Sequence, residues 1–173
     1  MKLKDYYLER AITDLTFDSC MFNNIAGTSD DYSKQAIENQ LKLILSEVQE
    51  LVDAFNGEAP INVTAEAVDV AVTTIGLLQK LNNAGIDVQE VTKRIGVKNL
   101  EKFPLGITEV NRTVSDYESK GVKTTVNSTN TDGITRYVIR DTNGKVRKPI
   151  GFTSVNLNGL TPINLKYGFV DKQ

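Results

Sequence analysis

The sequence predicts a mainly α-helical fold, an antiparallel helical bundle with a small C-terminal β-hairpin. Up to about residue 104, apolar residues recur at the three- and four-residue spacing of amphipathic helices, and polar breaks separate the segments. Beyond Pro104 and Gly106 this periodicity weakens. There Asn143-Gly144 separates two short segments, which is a strong two-residue hairpin signal. We therefore predict a helical bundle over 1–104 and a small α/β segment over 105–173.

Breaks in the apolar pattern define the first two helices. The first is predicted over 3–24. Ser29 or Asp30 can cap the second, because a short polar side chain accepts a hydrogen bond from the first backbone N–H groups of a helix. The second helix is then predicted to continue to about Phe55 and to stop at Asn56-Gly57.

A loop containing Pro60 precedes the third helix, which is predicted to begin at Asn62 or Thr64 and to end near residues 82–85. The remaining predicted elements are a fourth helix over 87–95 with a turn at Gly96, a short helix over 110–120, a polar loop over 127–133, and two strands over 134–142 and 145–152.

Composition excludes several kinds of chemistry. The chain of 173 residues contains no histidine, which removes Ser-His and Cys-His catalysis and His-liganded zinc. Its net charge of −2 gives no electrostatic case for nucleic-acid binding. A single cysteine, Cys20, excludes an internal disulfide and fits a reducing cytoplasm, and we expect neither a signal peptide nor a membrane span. Carboxylates, amines, hydroxyls and a metal remain as sources of chemistry.

Two carboxylate pairs are the strongest functional signal. Glu47 and Glu50 lie in the second predicted helix, Glu66 and Asp69 in the third, and each pair is spaced so that both members lie on one helix face. Four converging carboxylates form a hard oxygen site of the kind that holds Mg²⁺ or Mn²⁺. The short loop predicts an antiparallel helical hairpin, with both pairs near the same end.

Charge placement on the two helices supports a shared site. On a helical wheel Glu47 and Glu50 avoid the solvent stripe, whereas Ser46 faces solvent. Asp69 is the only charge over 67–78, so we expect this helix to be largely buried and Asp69 to have a partner. A shared cation is one such partner; a buried ion pair, a protonated carboxyl or a set of lysines is the alternative.

The motif E-x-x-E followed by E-x-x-D on consecutive helices resembles the MazG-like all-α nucleoside-triphosphate pyrophosphohydrolases, of a phage or bacterial type with a small C-terminal tail. The stretch K-N-L-E-K-F over 98–103 is similar to a second motif of that family. By this resemblance Lys98, Asn99 and Lys102 would contact the substrate. Asn23, which follows Phe22 where relatives often have Phe-His, would lie in the nucleotide pocket.

The resemblance implies Mg²⁺-dependent hydrolysis of a nucleoside or deoxynucleoside triphosphate to the monophosphate and pyrophosphate, with Mn²⁺ as a possible substitute. Glu47 or Glu50 would be the general base, and Lys98 or Lys102 would balance developing charge. Because apolar residues cover both motif helices widely, we expect a cytoplasmic homodimer or homotetramer. Two alternatives are an enzyme like phosphoribosyl-ATP pyrophosphatase and a non-catalytic helical interaction protein.

Overall fold

The computed structural model describes residues 3–57, 59–162, 165, 168 and 169. In this part the chain forms five helices and one two-stranded antiparallel sheet, which confirms the mainly helical class with a small hairpin. In chain order the elements are α1 (Leu3–Ile25), α2 (Lys34–Gly57), α3 (Pro60–Asn83), α4 (Val88–Leu100), α5 (Ile107–Ser119), β1 (Thr124–Thr131) and β2 (Ile134–Asp141).

The chain divides into two compact units. The first contains the described residues up to Val88 together with those from Asn158 onward, and the second is Gln89–Leu157. The division therefore falls earlier in the chain than residue 104, and the boundary given there stays a prediction. Helices α1 to α3 belong to the first unit, where α3 packs against both α1 and α2.

The starts of α2 and α3 differ from the predicted ones. Ser33 caps α2, because its Oγ accepts the backbone N–H of Ala36 at 3.2 Å, so the predicted caps Ser29 and Asp30 are wrong. Pro60 is the first residue of α3 rather than a loop residue. Proline suits this position because its ring fixes a helical φ and it has no N–H to leave unpaired.

Helix α3 is far less covered by its own unit than its apolar sequence predicts. Its buried residues are Gly76 and Lys80, and Asp69 is exposed, so the prediction of a largely buried helix is wrong. By length and composition α3 also meets the criterion for a membrane span, and 6% of its most apolar window is buried. Core helices of soluble proteins pass the same test. Helix α3 also packs on two neighbours and carries Glu66, Asp69 and Lys80.

Gly76 is a point of close approach between α3 and its neighbours. A Cβ atom there would meet the Gln40 amide nitrogen at 3.1 Å and the Asn23 amide nitrogen at 3.3 Å. These distances are shorter than ordinary van der Waals contact, so glycine at this position lets two amide side chains come against the α3 backbone.

In the second unit, α4 continues through Gly96 to Leu100, so the predicted turn at Gly96 is wrong. A glycine inside a helix costs only about 1 kcal/mol relative to alanine, which the rest of the helix can offset. Glu90 supports the first turns, because its carboxylate pairs with Arg94 at 2.7 Å and with Lys93 at 3.8 Å.

The hairpin turns at Asp132-Gly133 rather than at Asn143-Gly144. Both turn residues have positive φ, 52° and 78°, as a tight two-residue turn requires. The predicted polar loop over 127–133 is mostly strand β1, which is exposed along nearly its whole length and so lacks an apolar alternation. Asn143-Gly144 does reverse the chain, but it leads to a single Arg140–Val146 bridge instead of the predicted strand over 145–152.

The core of the second unit lies where α5 meets β2. Val110, Thr113 and Ile139 are its most buried side chains. Close by, Asp141 is 7% exposed, and its Oδ1 accepts the backbone N–H groups of Asn143 and Lys145 at 2.9 Å each. Its Oδ2 pairs with the Arg147 guanidinium at 2.7 Å. This carboxylate therefore organises the turn that follows β2.

These contacts predict an acid-sensitive fold. Burial alone would raise the pKa of Asp141, but the N–H groups of Lys145 and Asn143 and the Arg147 charge outweigh it and hold the pKa below its ordinary value. A depressed folded-state pKa contributes stability above the unfolded value, near pH 4, and loses it as the pH falls further. We expect Asp141→Asn to lower the free energy of unfolding at pH 6 and to flatten its fall between pH 5 and 3.

Urea unfolding across that pH range measures the effect. The exposed Glu118, changed to glutamine, is the matched control and should unfold like the unmodified protein. An Asp141→Asn protein with an unchanged pH dependence would contradict the assignment.

Candidate functional site

Three of the four predicted carboxylates meet between α2 and α3. Glu47, Glu66 and Asp69 each offer an oxygen, and these three oxygens lie within 4.8 Å of one another. Glu47 and Glu66 are half-buried, and Asp69 is exposed. Oxygens bound to one Mg²⁺ at about 2.1 Å lie about 3 to 4 Å apart, so small side-chain rotations would bring this group to coordination distance. We call these three residues the acidic cluster.

The helical hairpin explains why residues distant in sequence meet here. Glu66 and Asp69 share a face of α3 because they are three residues apart. Glu47 lies ten residues before the end of α2 at Gly57, and Asp69 lies nine residues after the start of α3 at Pro60. With a rise of about 1.5 Å per residue, they reach nearly the same distance from the connection.

Glu50 is not part of the acidic cluster. It is exposed, and its Oε1 accepts a hydrogen bond from Ser46 Oγ at 3.4 Å. Glu50 is spaced from Glu47 just as Asp69 is from Glu66, so spacing does not account for the difference. The Glu50 carboxylate instead lies beside Ser46 on the exposed side of α2. Ser46 is exposed, as the helical wheel indicates.

Within the described residues, no lysine or arginine forms an ion pair with Glu47 or Asp69. The alternative in which lysines fill the acidic site therefore has no support from these two side chains. The carboxylate oxygens of the acidic cluster are hard, anionic donors, which suit Mg²⁺ or Mn²⁺.

A cavity of about 580 Å³ lies beside the acidic cluster, between the end of α1, the start of α2 and α3. Leu43 and Thr73 line it, and each is one helical turn from a member of the cluster, Glu47 and Asp69 respectively. The cavity is also lined by four amides, an aromatic ring, a cation and an acidic residue: Asn23, Gln35, Asn39, Gln40, Phe22, Lys80 and Asp31.

Hydrogen bonds hold several of these amides in place. Asn23 donates from Nδ2 to Gln79 Oε1 at 3.0 Å, and Gln79 donates from Nε2 to Asn24 Oδ1 at 3.0 Å and to the Cys20 carbonyl at 3.2 Å. Gln40 donates from Nε2 to the Thr73 carbonyl at 2.9 Å. Hydrogen bonds therefore order these amides in a mixed polar and apolar wall, and Asn23 lies in it. Its place in a nucleotide pocket stays a prediction.

Lys80 was not predicted as a site residue. It is 6% exposed, and its ammonium donates to the Thr28 carbonyl and, at 3.3 Å, to the Asp31 carbonyl. These bonds hold the loop between α1 and α2 against α3. Lys80 is the only Lys or Arg of α3. Asp69 was singled out as a lone charge in an apolar segment, and the same criterion would have identified Lys80. Gln40 gives no comparable signal.

The other predicted substrate residues belong to the second unit, whereas the carboxylates and Asn23 belong to the first. Lys98 pairs with Glu101 and donates to Thr153 Oγ1 at 3.1 Å, and Lys102 donates to Asn99 Oδ1 at 2.7 Å. A role of Lys98, Asn99 and Lys102 in substrate binding stays a prediction.

No protein-family model, curated protein or solved structure matches this chain. The resemblance to the MazG-like enzymes therefore rests on the sequence motifs alone.

Proposed function

We propose that this protein is a Mg²⁺-dependent nucleoside-triphosphate pyrophosphohydrolase, which converts a nucleoside or deoxynucleoside triphosphate and water to the monophosphate and pyrophosphate. The observation that carries this proposal is the acidic cluster beside a cavity whose amide side chains are held by hydrogen bonds. Its oxygens suit a cation that binds phosphates, and the cavity suits the rest of a nucleotide.

The four carboxylates divide between two roles in this mechanism. Glu47, Glu66 and Asp69 would hold Mg²⁺, or Mn²⁺ in its place. When bound, such an ion would neutralise charge on the triphosphate and would make a water more acidic. Glu50, which lies one turn beyond Glu47 and outside the cluster, is then the carboxylate left to accept the proton of the attacking water.

The cavity supports a nucleotide rather than a simple phosphate as substrate. Its volume falls within the range of about 300–1,000 Å³ that is typical of small-molecule sites. Fixed amides such as Asn23 and Gln40 can donate to and accept from the edge of a base, and Phe22 offers an aromatic surface. Lys98, Asn99 and Lys102 are proposed as further substrate contacts through the sequence resemblance.

The proposal is tested by measuring pyrophosphate release from a panel of canonical and modified triphosphates. Each is assayed once with Mg²⁺ and once with EDTA. Mg²⁺-dependent release from at least one triphosphate is the expected result. Hydrolysis of phosphoribosyl-ATP alone would favour the phosphoribosyl-ATP pyrophosphatase-like alternative. Absence of turnover together with absence of Mg²⁺ or Mn²⁺ binding by calorimetry would favour the non-catalytic interaction protein.

We also propose that the chain forms a homodimer or homotetramer. Large apolar side chains are exposed on all three helices of the first unit, including Phe17 (64% exposed), Leu45 (67%), Phe55 (76%) and Ile61 (72%). Monomeric proteins rarely leave so many large apolar side chains in water, and a second copy of the same surface would cover them.

Light scattering at micromolar concentration should therefore give a mass at least about twice the 19.1 kDa of one chain. Leu45→Glu places a charge in the apolar surface and should shift the protein toward the monomer, whereas Lys42→Glu on the same helix should not. A stable monomer, or recovery of the protein in a membrane fraction, would contradict this prediction.

A further inference from the structure

The outer edge of strand β1 has no partner within the part of the chain that the structure describes. β1 (Thr124–Thr131) pairs with β2 on one side, and no backbone hydrogen bond between described residues reaches its other side. The strand is also exposed along nearly its whole length. Its backbone therefore presents a row of unpaired N–H and C=O groups to solvent.

The register of the hairpin identifies the residues of this edge. The N–H of Tyr137 donates to the Pro104 carbonyl at 2.9 Å, so Tyr137 directs its backbone groups away from β1. Its partner in the ladder is Ser128. In an antiparallel pair, two opposite residues either bond to each other or both face outward, so Ser128 faces outward. The alternate residues of the strand do the same: Thr124, Val126 and Asn130.

This edge lacks the features that usually block an edge strand. Such strands are protected by a charge, a proline, a bulge or a covering segment. The sequence of β1, T-T-V-N-S-T-N-T, contains neither a charged residue nor a proline, and its pairing with β2 runs without a bulge. The outer edge of β2, in contrast, is covered by Pro104 and by the Val146–Arg147 segment. The edge that is open is therefore also the one that is suited to pairing with another strand.

The sequence of β1 fits a second copy of itself in antiparallel orientation. A two-fold axis at Asn127 would place this residue opposite Asn127 of the second copy, and Thr125 opposite Thr129. The outward-facing Val126 and Ser128 would then exchange backbone hydrogen bonds across the axis. Facing threonines stabilise a sheet, and two facing amides can each donate and accept. No charged residue of the strand would meet its own copy.

We propose that β1 is a self-association surface, through which two copies of this chain form one antiparallel sheet of four strands in the order β2-β1-β1-β2. The ends of the strand carry opposite charges, because Lys123 precedes it and Asp132 follows it. Antiparallel pairing brings the positive end of one copy to the negative end of the other, which favours a second copy over an unrelated peptide. This surface belongs to the second unit, is separate from the apolar helix faces of the first, and does not depend on the proposed activity.

Charge-swapped variants test this pairing. Asn127→Lys and Asn127→Asp each place like charges opposite each other, so light scattering of either protein should give about half the mass of the unmodified assembly. An equal mixture of the two should recover the full mass, because lysine then lies opposite aspartate. Thr125→Glu is the matched control: it is exposed on the same face of β1 but lies opposite Thr129 of the second copy, so it should keep the full mass.

A cross-link measures the same contact independently of any association through the helices. Residue 127 of the two copies would lie about 4.5 Å apart between Cα atoms, within the range that a disulfide spans. With oxidised glutathione, Asn127→Cys should therefore form a covalent dimer faster than Thr142→Cys, an exposed position outside β1. Both variants retain Cys20, so their difference reports on position 127 alone.

Three results would overturn the proposal: an unchanged mass of both charged variants, a mixture that does not recover the full mass, or equal cross-linking of the two cysteine variants. The first result would leave the edge to an extended segment of another protein. Circular dichroism checks that the charged variants are folded, and the cysteine variants keep the test decisive if one of them is not.

Discussion

Replacing Asp69 with asparagine should lower the turnover for pyrophosphate release by at least about a hundredfold, because it removes one anionic ligand from the acidic cluster. Asparagine has nearly the same size and shape as aspartate, so the change tests the charge rather than the packing of α3. Calorimetry with Mg²⁺ should show a parallel loss of metal affinity. Glu47→Gln is expected to behave in the same way from the facing helix.

Stability separates a metal site from a structural ion pair. Three carboxylate oxygens within 4.8 Å repel one another when no cation is bound. In EDTA, Asp69→Asn should therefore leave the free energy of unfolding unchanged or raise it. If Asp69 were one half of a stabilising ion pair, the same change would lower it.

Glu38→Gln is the matched control for these measurements. Glu38 also lies on α2, is exposed, and pairs with Lys34 at a long 3.9 Å, an arrangement worth little to stability. Its turnover should equal that of the unmodified protein. An Asp69→Asn protein with full Mg²⁺-dependent turnover would refute the role of the acidic cluster.

The helical part of the fold was largely predictable because amphipathic periodicity is a local property. Predicted helix 3–24 corresponds to α1, Leu3–Ile25, and the motif helices α2 and α3 begin within a few residues of their predicted starts. The caps were misplaced because several short polar residues precede α2, and only the hydrogen bond from Ala36 to Ser33 identifies the one that caps. By residue type alone, Ser29, Asp30 and Ser33 are about equally good helix caps.

Burial was harder to predict than helix formation. The apolar sequence of α3 shows that its surface needs covering, but periodicity cannot tell whether the same chain or a second copy covers it. Strand β1 posed the opposite difficulty. Its polar sequence T-T-V-N-S-T-N-T gives no burial signal because the strand is exposed, and its pairing depends on β2 across Asp132-Gly133.

The acidic cluster was predictable in part. Spacing along each helix predicted which carboxylates share a face, and the short connection predicted that the two pairs would meet. Neither the spacing nor the connection indicates how far a side chain is turned toward the facing helix. That orientation is why Glu47 belongs to the acidic cluster and Glu50 does not. The cavity is a tertiary feature, because Asn23, Gln40 and Lys80 come from three helices.

The position of Glu50 leads to the second large effect. If Glu50 is the general base, Glu50→Gln should lower the turnover by about a hundredfold to ten-thousandfold, the usual range for loss of a positioned base. Because Glu50 lies outside the acidic cluster, Mg²⁺ affinity in this variant should stay within about twofold of that of the unmodified protein. Calorimetry and turnover therefore report on different residues: Asp69→Asn loses both properties, whereas Glu50→Gln loses turnover alone.

Asp53→Asn, one turn further along α2, is the control for a nonspecific effect of removing a negative charge from this helix. Asp53 is exposed and accepts a hydrogen bond from Gln49, so its replacement should leave both turnover and metal affinity unchanged. Loss of Mg²⁺ binding by Glu50→Gln would make Glu50 a fourth ligand instead, as four converging carboxylates predict. In that case the general base would be reassigned to Glu47, the other residue that the sequence resemblance offers for this role.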